Sequence, residues 1–413
     1  MERFTGILGI IAILGIAFLF SNNKKKINYR LVLSGLGLQL FLAVIILKIP
    51  AVKSFFQAIG QGMHAIEGYA QQGAAFVYGG IMTDTHSPKG AIDALPYGAP
   101  GTFVFAFSIP ATIILVCVIV AILYHIGIMQ RVVAAIARVM NFVMRVSGAE
   151  ALSNVASAFV GQVEAQVMIR PYLAGMTNSE LLASMAGSMA CIAGGILIVY
   201  VSMGVPAEYL IAASLMAAPA ALVISKIVFP ETEESQTKGK VSVEVKSQYT
   251  NIIDAISHGA SDGMKISINV IAMLIGFIAL MALINALLGL IHPDFSLNSI
   301  FGYIFYPLAW VMGVPQHEVM QVATMMGQKL TINEFVAYSE LIKVKEVLSP
   351  KALAIASFAL CGFANFSSVG IQIGGIGELA PSRRADLAKL GLKALLCGTL
   401  ASYLSATIAG MLM

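Results

Sequence analysis

Two carboxylates, Glu164 and Glu334, each stand in an otherwise apolar stretch with an amide side chain beside them: Gly161-Gln162-Val163-Glu164 and Asn333-Glu334. A third polar patch interrupts another apolar run at Gly362-Phe363-Ala364-Asn365-Phe366-Ser367-Ser368. An ionised side chain inside a bilayer is expensive unless it faces a partner or a cavity. Together Gln162, Asn333, Glu334, Asn365 and Ser368 offer carboxylate and amide acceptors with amide and hydroxyl donors. That set suits a neutral, polyhydroxylated, amide-bearing solute. It does not suit an anion, because Lys329 is the only cation nearby in sequence. Blander readings stand beside this one: Glu334 paired with Lys329, and Asn365 as an interhelical hydrogen bond.

The bilayer reading rests on composition. Of 413 residues, 58% are hydrophobic and 11% charged, where a soluble domain carries roughly a quarter charged. The chain therefore reads as an all-α polytopic membrane protein. A net charge of +4 without a basic face excludes nucleic acid as a partner. Four cysteines (Cys117, Cys191, Cys361, Cys397) lie singly in apolar runs, and no pair of the six histidines has metal spacing. Ser/His/Asp, HExxH and Gly-x-Ser-x-Gly patterns are missing, so the reading is not an enzyme and needs no cofactor.

Hydropathy places about eight spans, near 4–20, 31–48, 102–126, 180–204, 207–228, 264–291, 350–375 and 391–412. Residues 50–99 are too polar to span and read as an interfacial helix plus an external loop ending at Pro96-Tyr-Gly-Ala-Pro-Gly. Arg131, Arg138 and Arg145 recur every seven residues, which predicts a surface amphipathic helix over 127–146. Residues 230–262 form a hydrophilic linker, and 293–314, with Tyr303, Tyr306 and Trp310, read as interfacial.

The two carboxylates fall at the tips of segments whose arms are too short to cross: at 1.5 Å per residue, ten residues reach about halfway through a ~30 Å core. Both segments, 150–170 and 316–345, are expected to be re-entrant hairpins. Each is followed by two spans, and an odd number of crossings separates the copies. This predicts an inverted repeat with its broken elements meeting at the midplane, a pattern of secondary transporters. Short arms and a repeat suit alternating access better than a channel. The segments divide as 1–149, 150–229 (first repeat), 230–315 and 316–413 (second repeat). Basic turns at 24–30, 131–145, 226–246 and 383–389 come out cytoplasmic, leaving both termini outside the cytoplasmic (inner) membrane; Lys343, Lys345 and Lys351 come out external, against the trend.

At these residues the sequence resembles the concentrative nucleoside transporter family. The resemblance is carried by Gly161-Gln-Val-Glu164, Arg170-Pro-Tyr, Ile192-Ala-Gly, Pro230-Glu-Thr-Glu, Asn333-Glu-Phe-Val-Ala-Tyr338 and Gly362-Phe-Ala-Asn-Phe-Ser-Ser368, in family order from about 95 to 412. It implies a cation-driven nucleoside symporter and a homotrimer. A transport domain of the two repeats would move against a scaffold of the early spans and the long span near 264–291. It also implies that Gln162 and Val163 face the base with Glu164 beside it, that Glu334, Asn365 and Ser368 hold the ribose hydroxyls, and that Phe363 lines the pocket.

Departures from the family pattern bear on base and ion. Val163 stands where Thr or Ser is usual, and Gln166 where Pro is common. In sodium-coupled relatives the ion is held at positions that are Ser157, Val160, Cys191 and Ile192 here. Sodium prefers hard oxygen ligands, which a thiol does not supply. The expectation is proton coupling, with Glu164 or Glu334 as carrier, since buried carboxylates titrate near neutral pH. Sodium coupling, or transport of another neutral polar solute, is the alternative.

Overall fold

A computed structural model describes residues 2–78, 105–238, 249–292 and 295–413. The external loop ending at Pro96–Gly101 lies outside the described residues. The chain opens with α1 (Glu2–Leu19), α2 (Tyr29–Lys48) and α3 (Pro50–Tyr78), then α4 (Phe105–His125) and α5 (Ile128–Met144). Hairpin 1 is α6 (Gly148–Ser157), α7 (Glu164–Val167) and α8 (Arg170–Leu173). A broken span, α9 (Asn178–Ala190) with α10 (Gly194–Ser202), and a whole one, α11 (Ala207–Val228), complete the first repeat. Next come α12 (Ile252–Ile291) and α13 (Leu297–Val311). Hairpin 2 is α14 (Val319–Thr331) and α15 (Glu334–Val344); α16 (Pro350–Leu360) and α17 (Phe366–Leu379) form its broken span, and α18 (Arg384–Leu412) ends the chain. No strand occurs among the described residues.

Both repeats thus have the same order of hairpin, broken span and whole span. Local signals place the starts. Ser147 caps α6, accepting from Glu150 N at 3.3 Å while Ser147 N donates to Glu150 Oε1 at 2.8 Å. Thr177 and Glu180 form the same reciprocal pair at α9 (3.1 and 2.9 Å). The hairpin tip turns at Gly161, whose φ of 152° lies where side chains are rarely accommodated. Its missing Cβ leaves the place that the Glu164 carboxylate fills.

Among the described residues, five helices are long and apolar enough to cross a bilayer, or six if the bent α4–α5 pair is one span. The described part of α1 is short, and α16 and α17 are separated by an unwound Cys361–Asn365, so neither of these two crosses alone. The return arm of hairpin 1 is two single turns, α7 and α8. One expected boundary is corrected, the start of the long helix. The long helix begins at Ile252 rather than near 264, because Asn251 caps it, accepting from Asp254 N at 2.9 Å.

The repeats are bolted together at both ends. Arg383, after the second broken span, donates to the Leu173 and Ala174 carbonyls at the end of hairpin 1 (3.4 and 3.2 Å). Lys345, at the end of hairpin 2, donates to Gly204 O after the first broken span (3.1 Å). Asn22 N donates to Val228 O (2.9 Å), and Lys393 Nζ to Asn22 Oδ1 (2.7 Å), gathering several basic turns at one face. A side chain at Gly6 would strike Met411, so both termini share the opposite face. By contrast α12 and α13 turn apolar residues such as Ile275, Leu283, Leu290, Ile304 and Trp310 outward.

Lys226 is buried at the end of α11 and meets Glu150 at 2.7 Å and Glu231 at 3.3 Å. Removing one member of a buried pair strands the other charge, at a cost of about 3–5 kcal/mol. Lys226→Met is expected to lower the unfolding temperature sharply, and Lys226→Met/Glu150→Leu to recover most of the loss. A thermal-unfolding series in detergent checks this.

Candidate functional site

Hairpin 1 brings its tip to the break in the first span, where Gly194 N donates to Phe159 O at 3.1 Å. The α15 N-terminus and the break before α17 come to the same layer. Between them lies a cavity of about 270 Å³, lined among others by Val160, Gln162, Val163, Glu164, Tyr200, Asn333, Glu334, Phe363, Asn365 and Ser368. Its volume is at the small end of ligand pockets, about 300–1,000 Å³, and fits one small solute. All eight residues expected to touch substrate line it.

Glu334 is held on both carboxylate oxygens. Tyr200 OH donates to its Oε1 at 3.1 Å, and Asn365 Nδ2 donates to its Oε2 at 3.0 Å. Asn365 can present that amide because it is the N-cap of α17. Its Oδ1 accepts from Ser368 N at 2.9 Å and Ser367 Oγ at 2.7 Å, which leaves Nδ2 for the carboxylate. Asn333 is likewise the N-cap of α15, accepting from Val336 N at 3.0 Å. The asparagines therefore have a structural duty besides the binding one expected. The Glu334–Lys329 pairing does not form: Lys329 Nζ donates instead to the carbonyls of Ala359 (2.8 Å) and Cys361 (3.3 Å).

At the other end, Gln372 Nε2 donates to Gln162 Oε1 at 3.4 Å and to Met185 O at 3.2 Å. Glu164 folds back over Gly161 and remains exposed to the cavity. It also borders a second cavity of about 240 Å³, lined by Cys117, Tyr124, Tyr249, Asp262 and others, which shares Ile113, Val160 and Ile196 with the first. Together they make a path from the site toward the α4–α5 corner. Burial, then Asp262 and Asp254, push the Tyr249 phenol up from its ordinary value, so it stays a neutral donor at that mouth.

Of the expected ion ligands, Val160 lines the first cavity, while Ser157, Cys191 and Ile192 are buried behind it. Ser157 Oγ donates to Ser153 O (2.8 Å) and lies 2.8 Å from Ser188 Oγ. Gln166 fills the neighbouring space: its Nε2 donates to Ser153 Oγ (3.0 Å) and Ser188 Oγ (2.8 Å), and its Oε1 accepts from Ser184 Oγ (2.6 Å). The Cys191 thiol faces the carbonyls of Asn154 and Ser214 at 4.0 and 3.8 Å.

Residues 209–410 match the family description "Na+ dependent nucleoside transporter C-terminus", residues 8–81 its N-terminus, and residues 106–207 "Nucleoside recognition". The chain is 37% identical over 415 residues to "Nucleoside permease NupC" of Helicobacter pylori, spanning 98% of this chain and 96% of that one. This chain belongs to the concentrative nucleoside transporter family. The transporter is also 43% identical to "Uncharacterized transporter YutK" of Bacillus subtilis, over the full length of both chains. Its fold matches "Structure of CNTnw in an inward-facing substrate-bound state" with a TM-score of 0.92 and 40% identity, covering 100% of this chain and 98% of that one. It is a membrane permease of a cation-coupled family, not an enzyme.

Two residues of this transporter's site escaped the sequence reading: Tyr200 and Gln372. Tyr200 stands in the apolar run of α10 and Gln372 in the apolar middle of α17, and a polar side chain in such a setting is itself a functional signal in a membrane. Tyr200→Phe removes one bond to a carboxylate, worth about 1.5–3 kcal/mol. The expected result is at least about tenfold weaker nucleoside binding with trimer or monomer assembly unchanged, measured by titration calorimetry.

Proposed function

We propose that this protein imports nucleosides across the cytoplasmic membrane by proton symport. The carrying observation is the Glu334 carboxylate, held on both oxygens by Tyr200 and Asn365 at one end of a cavity whose other end is the Gln162–Gln372 amide pair. A ribose suits the first end: a carboxylate accepting from two hydroxyls makes strong charge-assisted bonds. A nucleobase, with its amide edges, suits the second. Val163 beside Gln162 gives that end an apolar wall in place of a hydroxyl.

Several observations favour the proton. A thiol at Cys191, and a Ser157 hydroxyl already donated to a backbone carbonyl, are poor sodium ligands. The Gln166 amide occupies the Ser153 and Ser188 oxygens. Glu164, which faces both cavities, and Glu334 are the groups available to carry a proton. The family description favours the sodium alternative, for which the Val160 and Ile192 carbonyls would remain. Movement is proposed to be of elevator type, the repeats carrying the site against the outward-facing α12 and early helices. The apolar face of α12 would contact lipid and two further subunits in a homotrimer, with both termini outside the cell.

The test is uptake into proteoliposomes of a panel of purine and pyrimidine nucleosides, with pH and sodium gradients imposed separately. Uptake driven by an inward proton gradient and blocked by competing nucleosides supports the reading. Strict sodium dependence without response to pH overturns the proton, and insensitivity to competing nucleosides overturns the substrate. Recovery of intact labelled nucleoside inside accompanies either form of transport.

A further inference from the structure

Lys329 is fully buried, yet no carboxylate lies within ion-pair distance of it among the described residues. Its ammonium sits instead at the open end of α16, donating to Ala359 O and Cys361 O and lying 5.9 Å from the Tyr403 ring centroid. The last carbonyls of a helix have no partners within it and carry about half a negative charge. Ser402 Oγ adds a second bond to Cys361 O at 2.9 Å. The lysine is thus a charged C-terminal cap, supplied from another element.

This place has a counterpart in the first repeat. Helix α9 also ends in a cysteine C-cap, Cys191, as α16 ends in Cys361, and both residues are extended. The two breaks touch: Gly362, at φ 113°, packs so closely on the Ala190 carbonyl that no side chain would fit. Two negative helix ends therefore meet back to back in the membrane interior, close to Glu334. On the first repeat side, the hairpin arm brings neutral Ser157 to Ser188 in the last turn of α9; on the second, it brings Lys329 to the end of α16.

We propose that Lys329 is a tethered cation. It takes at the α16 break the place that a bound ion takes at a helix C-terminus, and its charge holds the Cys361–Asn365 turn in the shape that presents Phe363 and Asn365 to substrate. Lys329 is a positioning residue and does not touch the substrate. The inference rests on the proposed site only in naming what the turn presents; the charge role stands apart from it.

The experiment compares full-length wild type with Lys329→Gln, Lys329→Met and Lys329→Arg. Thermal unfolding and nucleoside binding are followed while sodium or lithium replaces choline at constant ionic strength. Glutamine keeps donors but loses charge. Expected: Lys329→Arg keeps binding within about threefold, whereas Lys329→Gln and Lys329→Met lose at least about tenfold. In both neutral variants the unfolding temperature rises with sodium or lithium by more than that of wild type does. A Lys329→Gln protein that binds like wild type overturns the proposal. So does one whose unfolding temperature ignores small cations, since a hydrogen-bonding or packing role would leave it indifferent. If the neutral variants do not fold, Lys329→Arg decides: a monodisperse protein that binds like wild type supports a charge role, and failure of the arginine variant to fold as well overturns it. The unfolding readout needs no nucleoside, so it still tests Lys329 if nucleosides prove not to be the substrate.

Discussion

Glu334→Gln is expected to abolish uptake while leaving the protein folded and assembled. The substitution keeps size and shape but removes the charge to which ribose hydroxyls would donate. Hydrogen bonds to charged groups are worth about 1.5–3 kcal/mol each, so two of them lost predict about 100-fold weaker binding or more. Tyr200 and Asn365 lose part of their partner as well. In the variant one of the two positions becomes an amide nitrogen, which cannot accept from either. A cycle sharpens the result. Wild type is expected to reject nucleosides lacking the ribose hydroxyls, because the buried carboxylate is then left unpaired. The Glu334→Gln protein should discriminate far less, since it has less to lose. Binding by calorimetry, with size-exclusion profiles as the folding control, measures both. Binding within threefold of wild type would remove Glu334 from the substrate site.

The shape of this site could be anticipated because a membrane simplifies the problem. Polar residues in an apolar run are rare enough to be noticed, and arms of about ten residues cannot cross. Gly161, Glu164, Glu334 and Asn365 were visible on those grounds. Which partner each would choose was not. Asn365 and Ser368, three apart, look like two ligands on one helix face; both line the cavity, and Asn365 is in addition a cap that accepts from the Ser368 N–H, because a helix that starts mid-membrane must satisfy its first N–H groups from nearby side chains. Lys329 and Glu334 look like an ion pair at i, i+5, but the helix ends at Thr331, and Asn333 starts a new one pointing elsewhere. The ammonium then finds the carbonyls of a third helix. Tyr200 and Gln372 reach the site from helices whose rotation no local pattern sets. The Glu150–Lys226 pair joins residues 76 positions apart, so only the packing of α6 against α11 brings it into being.

The driving ion yields the other large effect. The Cys191 thiol and the Ser157 hydroxyl are the two side chains that stand where oxygen ligands would be needed, and Gln166 ties up the serines around them. Wild-type uptake should therefore follow an imposed pH gradient and ignore sodium at constant ionic strength and membrane potential. Ser157→Asn with Cys191→Ser supplies an amide and a hydroxyl oxygen beside the Val160 and Ile192 carbonyls. That pair of changes is expected to confer sodium stimulation of about fivefold or more, equivalent to about 1 kcal/mol of added coupling. Adding Gln166→Pro should increase it, because Ser153 and Ser188 lose their competing donor. Cys191→Ser alone should do little, since Ser157 would still point to the Ser153 carbonyl. Sodium-stepped uptake in proteoliposomes, with pH clamped on both sides, reads all four proteins together. If wild type already requires sodium, the thiol and hydroxyl are adequate ligands and the proton assignment falls. If the triple variant gains nothing, the ion does not enter between hairpin 1 and the α9 break, and the coupling group must be sought at Glu164, which lines both the substrate cavity and the path leading from it.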